Sequence, residues 1–280
     1  MKVLKSILTF ILTLIITCLI CLIFVANLLT STILNKDYVL AKFDETDYYN
    51  QIYIYVESNF EKYINQSGLD EEVIKNLITV EQVKNDTEKI LANIYDNSQE
   101  TIDMETTNQK LRNNIQNYLE QNNLNAEQSD IDTFVQTIEN EYLTSISHNK
   151  YEEKIHDGYL KIVKFANKAK KIAIIAIVLS IILLAVINIK TIYNFVAKIG
   201  VSIFASGVFL IFINMYINAK IDVKNLLILN DAISYTLRNL VTDLLRNFLM
   251  QGILFTITGL IVIIASVCVH NFLNKDVEEE

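Results

Sequence analysis

Four long stretches of this chain contain no Asp, Glu, Lys or Arg, and they constrain its fold more than any other feature. They are residues 6–35, 172–189, 199–219 and 247–274. About 20 apolar residues in a helix cross a hydrocarbon core of ~30 Å, so each stretch is long enough for one transmembrane helix. A hydrophobic content of 51% agrees with an embedded chain. We therefore predict four membrane spans.

The composition also predicts helices throughout. The chain has no proline and only six glycines, the two residues that most disfavour a helix interior. The predicted fold class is an all-α membrane protein, with four transmembrane helices and a helical-bundle, water-facing domain inserted between helices 1 and 2.

Charge is distributed unevenly along the chain. Residues 36–160 contain 25 acidic and 10 basic side chains, although the net charge of the whole chain is only -8. This acidic segment is long enough to fold as a domain of its own. The acidic balance excludes a main role in nucleic-acid binding, which needs a basic surface.

These patterns divide the chain into six segments. The first uncharged stretch exceeds the 7 to 15 residues of a cleaved signal, so it indicates an uncleaved signal anchor. The predicted segments are transmembrane helix 1 (1–35), an acidic helical extracytoplasmic domain (36–165), transmembrane helix 2 (166–190), transmembrane helix 3 (199–219), an amphipathic helix on the same side as the large domain (220–247) and transmembrane helix 4 (248–274).

The orientation in the membrane rests on two opposing arguments. Lys2 and Lys5 precede the first span, which favours a cytoplasmic amino terminus. The lysines and arginines beside the later spans favour the reverse, but long loops cross the membrane largely regardless of charge. We expect a multi-pass protein of a bacterial cell membrane with both termini in the cytoplasm.

Within the acidic segment, apolar residues recur every three or four positions from Tyr49 to Ile64, which predicts a helix that ends at Gly68. Asp70 is a predicted helix cap. Thr79 with Gln82 forms a capping-box pattern before the next helix.

One group of residues has the spacing of helix-borne metal ligands. His148, Glu152 and His156 lie four residues apart and would share one face of a helix, as zinc ligands do. The alternative is an exposed, charged helix that binds no metal. No other feature indicates a cofactor.

A cluster of lysines precedes the second span. Lysines near an anionic membrane surface are attracted to lipid headgroups, whereas the simpler interpretation is a helix end that reaches the interface. The predicted headgroup surface comprises Lys161, Lys164, Lys168, Lys170 and Lys171.

Small residues inside the spans indicate where helices approach each other closely. The predicted packing residues are Thr9, Thr13, Thr17, Ser202, Ser206, Gly207, Gly252 and Gly259. The uncharged cores of the spans also argue against proton relays and ion-coupled sites, which need ionisable groups at depth.

The chain has no nucleotide-binding loop and no catalytic motif, so we expect no catalysis. The leading hypothesis is a membrane protein whose extracytoplasmic domain binds, senses or scaffolds a partner in the cell envelope. Its expected partners are the lipid bilayer and another protein or a second copy. The alternative is a transporter or ABC-permease-like subunit, because one span, a large domain and three further spans resemble that layout.

Overall fold

The computed structural model describes residues 2–146, 152–225 and 231–278. Within these ranges all regular structure is helical. The helices are α1 (Lys2–Ser31), α2 (Lys36–Glu45), α3 (Tyr48–Ser67), α4 (Val80–Asp96), α5 (Glu105–Gln121), α6 (Gln128–Ile146), α7 (Glu152–Ile187), α8 (Ile192–Lys220) and α9 (Asp231–Glu278), with short 3-10 turns at Glu71–Val73 and Val223–Asn225.

Four of these helices are long and apolar enough to cross a membrane. They are α1, α7, α8 and α9, and each contains all or most of one of the predicted uncharged stretches. The prediction of an all-α chain with four candidate spans is confirmed.

The chain forms two compact units. The acidic unit comprises Lys36–Lys161 and Leu227–Asn239, and the apolar unit comprises Met1–Asn35, Ile162–Leu226 and Leu240–Glu280. Helices α7 and α9 have residues in both units.

Helix α3 provides the centre of the acidic unit. Its side chains Ile52, Val56, Phe60 and Ile64 lie on one face and are at most 1% exposed, as the apolar stripe predicted. Helices α4 and α6 pack against α3, and α5 packs against α6. Burial of these apolar side chains supplies the main stabilising free energy of the unit.

Local capping determines where several helices of the acidic unit begin and end. Gly68 follows α3 at φ 75°, a left-handed conformation that favours glycine. Asp70 Oδ1 accepts a hydrogen bond from Glu72 N at 2.9 Å, although the cap opens a 3-10 turn and not a full helix. Thr79 Oγ1 accepts from Gln82 N at 3.1 Å. The Gln82 side chain donates to Thr107 Oγ1, so only half of the predicted capping box forms.

The first turns of α9 belong to the acidic unit. Ala232 lies in its apolar core, and Ile233 packs beside it. The buried hydroxyls of Thr46 and Thr236 are 2.8 Å apart and form a hydrogen bond. A residue distant in the sequence, Thr46 in the turn between α2 and α3, thus holds this segment in the acidic unit.

In the apolar unit, α1 and α8 run parallel. Ser202 Oγ donates to Thr13 O at 3.1 Å, and Ser206 Oγ donates to Thr17 O at 3.2 Å. Because both contacts advance four residues along both helices, the carboxyl ends of α1 and α8 lie at the same end of the unit. Leu12 and Ile16 of α1 also share a buried cluster with Leu184 of α7.

Some boundaries differ from the expected segments. Where two helices were expected over 220–247 and 248–274, the described part of α9 runs unbroken from Asp231 to Glu278. No proline interrupts it, and a single glycine such as Gly252 is tolerated in a long helix. Helix α7 begins at Glu152 and runs on into the expected span 166–190, as the unbroken helical spacing ahead of that span allows. Helix α2 was not expected.

Candidate functional site

The structure brings the small residues of α1 and α8 together. Thr17 Oγ1 lies 3.4 Å from Ser202 O, and Cys21 Sγ lies 3.8 Å from Ser206 O. Thr13 Oγ1 donates within its own helix to Thr9 O at 2.8 Å, and the Thr13 carbonyl oxygen accepts from both Thr17 Oγ1 and Ser202 Oγ. Each hydroxyl therefore has a partner, which is needed where no water is present.

The glycines of α8 and α9 lie in direct backbone contact. A methyl group on Gly207 would lie 2.5 Å from Gly252 O, and one on Gly259 would lie 2.7 Å from Gly200 O. No side chain larger than a hydrogen atom fits either position without a shift of the partner backbone.

These glycines belong to a seam that repeats every seven residues on both helices. The antiparallel pairs are Tyr193 with Ser266, Gly200 with Gly259, Gly207 with Gly252, and Asn214 with Leu245. At its two ends Ser266 Oγ donates to Tyr193 O at 2.5 Å, and Asn214 Nδ2 donates to Leu245 O at 2.6 Å. A seven-residue repeat keeps one stripe of each helix facing the other through a left-handed crossing.

Sequence reasoning identified Gly207, Gly252 and Gly259 but missed Gly200 and the polar pairs at the ends. The sequence did contain a signal for Gly200. Gly200 precedes Gly207 by seven residues, which is the spacing that also separates Gly252 from Gly259.

The proposed metal ligands are only partly described. His148 and the side chain of Glu152 lie outside the described residues. His156 Nδ1 is 2.7 Å from the carbonyl oxygen of Ile94. Because a carbonyl only accepts, Nδ1 donates this bond and fastens the start of α7 to the end of α4. In the part of the chain that the structure describes, no three His, Cys, Asp or Glu side chains converge on one point.

The five lysines ahead of the second uncharged stretch all lie on α7. Lys161, Lys164, Lys168 and Lys171 are exposed, and Lys170 is partly buried. Their side chains therefore remain accessible to anions.

The acidic unit contains a cleft that sequence reasoning did not identify. It has a volume of about 360 Å³ and lies where α3 meets the 3-10 turn. Phe60 and Ile74 are buried and form its apolar floor. Five carboxylates and a single lysine surround that floor: Glu57, Glu61, Asp70, Glu71, Glu72 and Lys75.

The carboxylates of this acidic cleft differ in their local partners. Asp70 caps the 3-10 turn, and Glu57 accepts a hydrogen bond from the Tyr53 hydroxyl. This carboxylate raises the pKa of Tyr53 to about 12, so Tyr53 stays a neutral donor at physiological pH. Across residues 2–146, 152–225 and 231–278, the side chains of Glu61, Glu71 and Glu72 have no ion-pair partner.

The cleft forms because local structure gathers its acids. Glu57 and Glu61 lie one turn apart on the same side of α3, and the chain reverses at Gly68 to bring Asp70, Glu71 and Glu72 back alongside. The signal in the sequence was the acidic run after Gly68. The run alone did not predict a cleft, because the cleft forms only when the chain returns toward α3.

The cleft has the chemistry of a site for a long cation. Since no three of its acids converge, it does not form a compact cage for a metal ion. A lysine or arginine side chain has an aliphatic stem for the apolar floor and a charged end for the acidic rim.

Comparison with protein-family models, with curated proteins and with solved structures found no match for this chain.

Proposed function

We propose that this protein is a non-enzymatic, membrane-anchored binding protein whose acidic unit recruits a basic partner protein. The observation that carries the proposal is the acidic cleft, in which unpaired carboxylates surround the buried floor formed by Phe60 and Ile74. Carboxylates without an internal cation are available to an external one, and a bond to an ionised group is stronger than a neutral one.

The apolar unit fits the role of an anchor. Helices α8 and α9 are in backbone contact along their glycine seam, so no solute can pass between these two helices in this arrangement. This close contact gives less support to the alternative, a transporter or ABC-permease-like subunit, which must open a path between helices.

The proposed location of the acidic unit is outside the cytoplasm of a bacterial cell, with both termini inside. Lys2 and Lys5, which precede the uncharged stretch of α1, support this orientation. Alternation of direction supports both termini on one side of the membrane, because parallel α1 and α8 leave it on the same side, and this holds in either orientation.

The test is binding of a fluorescent octalysine peptide to the full-length protein in nanodiscs of zwitterionic lipid. In one variant Glu61→Gln, Glu71→Gln and Glu72→Gln remove three charges from the cleft. In its matched control Glu81→Gln, Glu100→Gln and Glu120→Gln remove three charges from exposed positions elsewhere. We expect the cleft variant to bind about tenfold more weakly, since each lost ion pair costs about 0.2–1 kcal/mol. The control should lose less than half as much binding free energy.

Equal losses in the two variants would contradict the proposal, because they would show that only net charge attracts the peptide. The natural partner is identified by a photoreactive amino acid at position 75, which lines the cleft and is exposed. The same amino acid at position 120 is the control.

A further inference from the structure

A lateral groove lies between α1, α7 and α8 in the apolar unit. It has a volume of about 610 Å³. Its walls are apolar, and the side chains that matter most here are Leu22, Leu29, Phe165, Ala169, Ala205 and Phe209. Thr17 also borders the groove, but its hydroxyl donates to Thr13 O at 2.9 Å within α1. The groove thus presents hydrocarbon to its occupant.

The dimensions of the groove suit a single hydrocarbon chain. Along α1 it extends from Leu14 to Leu29, which corresponds to about 22 Å at 1.5 Å per residue. One leaflet of a bilayer provides about 15 Å of hydrocarbon, half of the ~30 Å core. An acyl chain that follows the groove therefore stays within it for the depth of one leaflet.

The volume favours a hydrocarbon chain over a transmembrane helix of another protein as the occupant, because the groove is too small to enclose a helix. A helix with its side chains is about 10–12 Å across, so two turns of it occupy roughly 1,000 Å³. The groove offers less than this. A volume of 610 Å³ lies within the range of about 300–1,000 Å³ that is typical of small-molecule sites.

Charge at one end of the groove indicates which lipid would occupy it. The α7 residues that border the groove are Ile162, Phe165, Ala166 and Ala169, and the exposed Lys164 and Lys168 lie between them in the sequence. On a helix Lys168 is about 60° around the axis from Phe165 and one turn along it. A long lysine side chain reaches across that distance, and its ammonium group attracts a phosphate.

We propose that the groove binds one acyl chain of an anionic phospholipid, whose phosphate lies against Lys164 and Lys168. The groove holds the acyl chain by van der Waals contact, since the surrounding lipid is as apolar as its walls, and the lysines select an anionic headgroup. This site is independent of the acidic cleft and of the function proposed for it.

The test uses full-length protein in nanodiscs and phosphatidylglycerol that has a diazirine in one acyl chain. After irradiation, mass spectrometry locates the labelled residues. We expect labels concentrated on groove residues such as Leu22, Phe165 and Phe209. Unlabelled phosphatidylglycerol should compete better than phosphatidylcholine with the same chains. Two lysines that each favour the anionic lipid about fivefold give a preference of roughly twenty-fivefold.

Two sets of variants separate the acyl-chain contact from the headgroup contact. Ala169→Leu with Ala205→Leu fills the groove and should abolish labelling there by every lipid. Its control is Ala265→Leu, on an exposed position of α9 outside the groove. Lys164→Gln with Lys168→Gln should remove the preference for phosphatidylglycerol but keep acyl-chain labelling. Lys190→Gln with Lys198→Gln, at the other end of the spans, should keep both.

The labelling pattern of the unaltered protein decides the proposal even if a variant fails to fold. Labels distributed over all lipid-facing residues in proportion to exposure would overturn it. It would also be overturned if phosphatidylcholine competed equally well. Cross-links from groove residues to a second protein chain would show that a protein, and not a lipid, occupies the groove.

Discussion

The hydroxyl of Tyr142 donates a hydrogen bond of 2.8 Å to Asp86 Oδ2 in the core of the acidic unit. Both residues are buried, and Tyr142 has no solvent exposure. The other oxygen of Asp86 accepts from Lys89 Nζ at 3.1 Å. This pair joins α6 to α4 and satisfies a carboxylate that would otherwise be costly to bury.

Removal of this hydroxyl should destabilise the acidic unit. Tyr142→Phe keeps the ring but leaves Asp86 with one partner fewer, at a cost of about 1–3 kcal/mol. Hydrogen exchange of α4 and α6 amides in the full-length protein measures the change in the free energy of opening. Tyr118→Phe is the control, since its partly buried hydroxyl has no hydrogen-bond partner within the described ranges. Equal effects of the two variants would show that the bond to Asp86 contributes nothing.

The same tyrosine predicts how the acidic unit responds to alkali. Burial, followed by the nearby charge of Asp86, raises the pKa of Tyr142 well above its ordinary value near 10. Above a pH of about 10 the unfolded chain loses this proton while the folded chain keeps it, so stability falls as pH rises. Below the ordinary pKa the contribution is complete. Unfolding measured over this range should be steeper for the native chain than for Tyr142→Phe, by up to about 1.4 kcal/mol per pH unit. Identical slopes would contradict the prediction.

Alanine should have opposite effects on stability at a glycine inside the α8–α9 seam and at a glycine outside it. Gly207→Ala places a methyl group against the backbone of Gly252 and should separate α8 from α9. We expect a loss of about 1–3 kcal/mol from overpacking. Gly158→Ala meets no atom within 4 Å and lies inside α7, so it should stabilise the helix by about 0.5–1 kcal/mol. Thermal unfolding in the same detergent compares the two, and a stability of Gly207→Ala at or above that of the native protein would exclude backbone contact at this seam.

The hydrogen bond between Thr46 and Thr236 predicts that removal of one hydroxyl costs more stability than removal of the other. Thr46 Oγ1 also lies 2.7 Å from the Lys42 carbonyl oxygen, to which only a donor can bond. The Thr46 proton is therefore engaged there, and Thr236 donates to Thr46. Thr46→Val leaves the buried Thr236 hydroxyl without an acceptor, at a cost of about 1–3 kcal/mol. Thr236→Val leaves the bond from Thr46 to Lys42 intact and should cost less.

A double-mutant cycle distinguishes this bond from simple packing. The double variant Thr46→Val with Thr236→Val should be more stable than Thr46→Val alone, because no buried hydroxyl then lacks a partner. Hydrogen exchange of residues 231–239 provides the measurement. Strictly additive losses would mean that the two hydroxyls do not interact.

The proposed orientation predicts which side of the membrane is labelled. A protein with Cys18, Cys21 and Cys268 replaced by alanine and with Asn117→Cys should react with an impermeant maleimide in intact cells. Asn117 suits this purpose because it is an exposed residue on the helix α5. A cysteine at Lys275, beyond the last uncharged stretch, should react only after lysis. The reverse pattern would place the acidic unit in the cytoplasm.

Several features could be predicted because they depend on residues close together in the sequence. The four spans follow from uncharged stretches of sufficient length, and the helix ends at Gly68 and Thr79 follow from local capping chemistry. The apolar stripe of α3 also revealed its buried face, since periodicity alone determines which side chains share a side of a helix. The continuity of α9 was missed, because a change from amphipathic to apolar sequence does not itself end a helix.

The amino-acid sequence alone thus determined the helical class, the four candidate spans and the concentration of acidic charge, all of which depend on local composition. Only the tertiary structure decided that Gly207 meets Gly252, that Thr236 bonds to Thr46, and that Glu61 shares a cleft with Glu71. The physical reason is that each of these contacts depends on helix register or chain reversal. Register and reversal follow from the packing of the whole unit, to which many side chains contribute at once.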